Sequence, residues 1–119
     1  MRESVAPAAG HGSLDSYDTV TLAAGELEAA FAPGLGMAGV SLRHRGEELL
    51  DLRRGLRAYA ETGKVMGIPV LHPWANRLDT HDFELDGRAV RLTGVARDDE
   101  RGLPIHGLLG ATGRWAVDE

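Results

Sequence analysis

The sequence predicts an all-β protein, and three observations carry that expectation. Short apolar runs alternate with polar residues at a period of two. Glycine-containing turn pairs separate those runs at hairpin spacing. Hardly any segment shows the 3.6-residue apolar spacing of an amphipathic helix.

Residues 1–16, "MRESVAPAAGHGSLDS", are rich in Gly, Ala, Ser and Pro without periodicity, and read as a flexible N-terminal tail. From Tyr17 the chain alternates, with Val20 and Leu22 on one side and Thr19 and Thr21 on the other, as in a half-buried strand. "ELEAAFA" repeats the pattern with Leu27, Ala29 and Phe31 on one face, although Ala and Glu also suit a helix. "APGLG" breaks the chain. In "MAGVSLRHRGEELLDL", Val40 and Leu42 share a face and Arg45-Gly46 sits between two extended runs, which predicts a tight hairpin. Residues 52–66 are open between a helical turn and an irregular loop, with glycines capping either form.

"IPVLHPW" holds Pro69 and Pro73, neither of which can donate to a sheet, so a stiff, extended, partly unpaired backbone is expected. "DFELDGRAVRL" is the clearest hairpin: Asp86-Gly87 is a type I′ pair, with Phe83 and Leu85 on one face and Val90 and Leu92 on another. "TGVARDDERGLP" reads as a polar loop whose acidic run, Asp98–Glu100, is solvated. "GRWAV" near the C-terminus is expected to be a last strand.

Composition narrows the function classes. Of 119 residues, 43% are hydrophobic and 26% charged, which suits one globular domain, here expected over residues 17–119. A net charge of −5 argues against nucleic-acid binding. No apolar run approaches the ~18 residues of a membrane span, and the N-terminus has no signal-peptide core, so a cytoplasmic protein is the expectation. Without cysteine there is no disulfide or thiolate chemistry. The five histidines show no metal-ligand spacing and the glycine clusters no P-loop or dinucleotide spacing, so neither metal nor cofactor is expected.

Two short stretches carry residues suited to a site. In "HPWANRL", Asn76 and Arg77 follow a rigid segment; a planar fork of donors beside an amide suits a hydroxyl-rich ligand. The structural alternative is a surface ion pair of Arg77 with Asp79 or Asp82. Trp74 could stack on a sugar face or anchor the core. In "LPIHGL", Pro104 stiffens the approach to His106 and Gly107 admits close contact; His106 can hydrogen-bond or move a proton near neutral pH, or be structural only.

Taken in order, "VSLRHRGEELL", "GIPVLHPWANRL", "FELDGRAVRL", "LPIHGL" and a segment carrying Trp115 resemble the aldose 1-epimerase (galactose mutarotase) family from about Tyr17 to Glu119. The resemblance implies part of a large antiparallel β-sandwich of galactose-mutarotase type. It also implies interconversion of the α and β anomers of a free hexose by acid and base, without cofactor or metal. Arg77 matches the family's sugar-binding arginine, Asn76 lies beside it, and His106 matches a histidine that contacts the sugar near its reacting end. Family members are more than twice this length, and their general-acid histidine and glutamate base lie further downstream. The chain therefore reads as an N-terminal portion, weak or inactive on its own, and Glu119 is on no matching motif. Such a portion would expose apolar strand faces and edges, which favours self-association. A non-catalytic carbohydrate-binding module and a β-domain that serves assembly only are the alternatives.

Overall fold

A computed structural model of the chain describes residues 8–118. It is mostly antiparallel β-sheet with one short helix, as the periodicity requires. Two compact units are present: one runs up to Val70 and resumes at Ala111, and the other is Leu71–Gly110. No helix among the described residues is long and apolar enough to cross a membrane.

The first unit is built on a five-stranded sheet in sequential order: β1 (Ala8–Leu14), β2 (Tyr17–Ala24), β3 (Leu27–Ala32), β4 (Ala38–His44) and β5 (Glu47–Glu48). Its hairpins follow from turn chemistry. Arg45 and Gly46, at φ 52° and 80°, both adopt the left-handed conformation of a type I′ turn, whose twist matches that of the strands.

Strand β1 corrects the expected tail. Ala8–Leu14 pairs with β2 along its whole length, from Ala8 opposite Ala23 to Leu14 opposite Tyr17. The segment lacks an apolar alternation of its own because it borrows its order from β2. A Cβ on Gly10 or Gly12 would stand 3.0 and 3.1 Å from the hydroxyls of Thr21 and Thr19, so small residues fit this edge. The rest of the expected tail, residues 1–7, and Glu119 lie outside the described residues.

The period of two in β2 holds, but the buried face is the threonine face. Thr19 is 4% exposed, whereas Leu22 is 48% exposed. The reason is tertiary. Leu14, Tyr17, Ala30 and Ala32 lie against a core of Leu35, Ala38, Val40, Leu56, Tyr59 and Met66, and that core covers one face of the sheet. A register shift between Ala30 and Phe31 in the β3–β4 ladder leaves Val40 as an extra, fully buried residue.

The open question over residues 52–66 resolves into helix α1 (Leu56–Thr62). Leu56 and Tyr59, three residues apart, both point into the core. Gly63, at φ 69°, ends the helix and donates its N–H to the Tyr59 carbonyl. Further on, Gly39 and Ile68 exchange backbone hydrogen bonds of 2.7 and 2.9 Å. A Cβ on Gly67 would fall 2.2 Å from the Gly39 carbonyl oxygen, so only glycine permits this approach. "GRWAV" is not a strand: residues 114–118 are irregular, because five alternating residues without a partner edge do not fix a ladder.

In the second unit, β6 (Asp82–Leu85) and β7 (Arg88–Arg91) form the expected hairpin around Asp86 (φ 50°) and Gly87 (φ 75°). Phe83 stands directly opposite Val90, so these two share a face rather than occupying separate ones. Leu92 is the large apolar residue this unit buries, at 5% exposure, while Leu85 is exposed.

Candidate functional site

The candidate site is assembled within Leu71–Gly110 by main-chain bonds between the Pro-Trp segment and the "LPIHGL" segment. The Leu108 N–H donates to the His72 carbonyl at 2.8 Å, the His106 N–H to Asn76 at 2.9 Å, and the Leu78 N–H to Pro104 at 3.0 Å. Bridges pair His72 with Gly107 and Arg77 with Ile105. Proline spacing allows this: Pro73 and Pro104 carry no N–H, and the carbonyls of this extended backbone are left free to accept. Gly107, at φ 75°, is obligatory, since a Cβ would sit 2.1 Å from the His72 oxygen.

Asn76 and His106 face each other across this ladder, and both adopt left-handed backbone, at φ 62° and 60°. Asn tolerates that conformation; for His it costs of the order of 1–3 kcal/mol, a strain that concentrates at functional sites. The clasp between them is reciprocal. While Asn76 accepts the His106 N–H, its own N–H donates to His106 Nδ1 at 3.1 Å. An accepting Nδ1 places the proton of the neutral ring on Nε2. Burial, then the nearby Arg97 and Arg77 guanidinium groups, push the imidazole pKa below its ordinary value. His106 is therefore a neutral ring with an Nε2–H to offer.

Arg77 is held on several sides. Its Nε donates to Asp99 Oδ2, its Nη1 to Asn76 Oδ1 at 3.3 Å, and its Nη2 lies 3.5 Å from Glu100 Oε1. Its side chain keeps 39% of its surface exposed. The ion pair foreseen with Asp79 or Asp82 is thus replaced by one with residues 22 and 23 positions downstream, because the loop from Arg97 to Pro104 doubles back on itself. The Ile105 N–H donates to Arg97 at 2.9 Å and the Asp99 N–H to Leu103 at 2.8 Å.

The acidic run is correspondingly not a solvated strip. Asp98 bonds His81 Nε2 at 2.7 Å although it is exposed, as Glu100 is, whereas the Asp99 side chain between them is 1% exposed. Asp99 Oδ1 accepts the N–H groups of Arg101 (2.8 Å) and Leu103 (2.9 Å). The Leu103 N–H, reinforced by the Arg77 guanidinium and the Arg101 N–H, outweighs burial and holds this carboxyl at about 2. Reading the sequence for charge alone missed Asp99. The available signal was turn chemistry: "DERG" is a turn with Asp at its first position and Gly at its fourth, closed by Gly102 N–H donating to Asp99 at 3.1 Å.

Trp74 is half-buried, and its indole N–H is buried without a hydrogen-bond partner, so its side chain takes no part in the polar clasp. Among the described residues no group of three or more His, Asp or Glu is gathered as a metal would need. The chemistry on offer is that of hydrogen-bond donors: the His106 Nε2–H, the Asn76 amide NH₂ and the outer N–H groups of Arg77. No protein-family model matches the chain, and no curated protein shows significant similarity to it.

Proposed function

We propose that Leu71–Gly110 forms the sugar site of an aldose 1-epimerase-type protein, on a scaffold that belongs to an antiparallel β-sandwich of galactose-mutarotase type. The observation that carries this reading is the Asn76–His106 clasp, which sets a neutral imidazole donor and an anchored arginine on one short ladder. Their residue types and order are those of the motifs that resemble the family.

Arg77 and the Asn76 amide NH₂ would donate hydrogen bonds to sugar hydroxyl oxygens, and Trp74 would lie against a sugar face. His106 would direct its Nε2–H at an oxygen of the reacting end, stabilising negative charge there. Anomer exchange needs a proton delivered to the ring oxygen and one taken from the C1 hydroxyl. The ring then opens, the C1–C2 bond turns and the ring closes on the other face, with no net proton change. Asp99 is committed to Arg77 and the loop amides, so it is no free base. The clasp itself presents donors and no free base among the described residues, and lack of a positioned acid or base costs about 10²–10⁴ in rate, so this chain is proposed to bind a hexose in the cytoplasm and to turn it over weakly.

Titration with galactose or glucose, read by tryptophan fluorescence, tests binding, and polarimetry on freshly dissolved α-anomer tests turnover. Saturable binding that Arg77→Ala and His106→Ala each weaken about tenfold is expected, the loss of one charged or buried hydrogen bond. No binding of either sugar overturns the proposal. Rapid mutarotation abolished by His106→Ala would show that this histidine acts as more than a donor. The donor-only character of the site favours a second reading, a non-catalytic carbohydrate-binding module, which binding with no measurable mutarotation would support. Self-association indifferent to sugar and to Arg77→Ala would point instead to a β-domain for assembly.

A further inference from the structure

We infer that Asp99 is a positioning residue that sets Arg77 and His106 as one unit for a hydroxyl-bearing ligand; for a hexose, this rests on the reading of the site given above. The two oxygens of its carboxylate do different jobs. Oδ2 takes the Nε–H of Arg77, the inner edge of the guanidinium fork. Oδ1 takes the N–H groups of Arg101 and Leu103 and so closes the turn that delivers Pro104, Ile105 and His106 to the ladder. One buried anion therefore fixes both the rotation of the arginine fork and the register of the strand that carries the histidine.

The consequence follows from the donor count. A guanidinium has five N–H donors in a rigid plane. With Nε held by Asp99 and one Nη1 proton turned to Asn76 Oδ1, what remains for a ligand is the outer Nη edge, where Nη2 lies 3.5 Å from the exposed Glu100 carboxylate that a hydroxyl would meet or displace. An arginine side chain loses much rotamer freedom when it is ordered. Here that ordering precedes binding, which is how preorganisation raises affinity. Holding Asn76 Oδ1 also turns the amide NH₂ away from Arg77, so the asparagine too is oriented as a donor. Nothing in the charge pattern of the sequence distinguishes Asp99 from its two acidic neighbours; its burial does.

The test compares wild type with Asp99→Asn, first without sugar. The Arg77 Nε–H should give a slowly exchanging NMR signal in wild type down to about pH 3, and that signal should be lost in Asp99→Asn. Hexose affinity, read by tryptophan fluorescence, should fall about tenfold in Arg77→Ala and further in Asp99→Asn, and the double variant should lose no more than Asp99→Asn alone. A purely structural Asp99 would give losses that multiply. An unaltered Nε–H signal, unchanged affinity or multiplying losses each overturn the inference. Should Asp99→Asn fail to fold, Arg77→Lys leaves the loop bonds of Asp99 in place. It should remain folded and bind about tenfold more weakly, and undiminished affinity would overturn the inference. A wild type with the anchored Nε–H but no hexose binding overturns the sugar reading while leaving Asp99 as the anchor of Arg77.

Discussion

The two units of this chain are held together by different physics. The sheet unit has sequential hairpins, each specified by a local turn, and a contiguous apolar core running from Ala32 to Met66. The Leu71–Gly110 unit has one local hairpin and little apolar burial beyond Leu92 and Pro104. Its order comes from backbone bonds between residues 72–78 and 104–108 and from the anion at Asp99. The difference teaches where function can be carried. A core needs apolar atoms pressed together, which leaves few polar groups to spare. A polar clasp holds donors in fixed places at the edge of solvent, and it responds to pH and to single atoms.

Several substitutions would break or sharpen this contrast. Gly107→Ala is expected to do most damage: strain at positive φ and collision with the His72 carbonyl together should cost at least about 3 kcal/mol. Amide protection of Leu108 and His106 should vanish while the sheet unit keeps its own. Survival of the clasp would mean that the backbone there is softer than its geometry. Leu56→Ala should cost about 2–5 kcal/mol through lost burial and an unfilled cavity, measured by denaturant unfolding and felt in the sheet amides.

Acid should act on the other unit. The Asp99 carboxyl titrates near 2 in the fold, below its unfolded value near 4, so its stabilisation is complete above about pH 4 and is lost as pH falls toward 2. Exchange protection of the Arg101 and Leu103 amides should decline over that window, and Asp99→Asn should remove the dependence. The His106 pKa is also depressed, so the fold favours the neutral ring. That contribution is complete above the unfolded value near 6.5 and is lost on acidification, as protonated Nδ1 can no longer accept the Asn76 N–H. An Asn76 amide shift that moves with the histidine titration checks it; a shift indifferent to pH would refute the bond. Smallest of all, Arg57→Ala removes an exposed i,i+4 pair with Glu61 and should change stability by only about 0.3–0.5 kcal/mol.

Much of this architecture is local, and local features were legible. Arg45-Gly46 and Asp86-Gly87 announce their hairpins because few residue pairs tolerate two positive φ values in succession. Gly63 marked a cap, but whether it closed a helix or a loop was settled only by the packing of Leu56 and Tyr59. Of the candidate site, His106, Asn76 and Arg77 stood out because proline and glycine stiffen or open the backbone around them, and the ladder does bring them together. Trp74 stood out too, but its ring is not a member of the clasp.

The sequence by itself therefore determined the turns, the strand periods and the chemistry available at each position, because these depend on one residue and its immediate neighbours. Tertiary structure alone decided that Ala8–Leu14 is a strand, that Thr19 and not Leu22 turns inward, that "GRWAV" stays irregular and that Arg77 pairs with Asp99. Each of those outcomes depends on which distant segment supplies a partner. A glycine-rich edge, an alternating strand or a guanidinium is compatible with several partners, and burial of the whole selects among them.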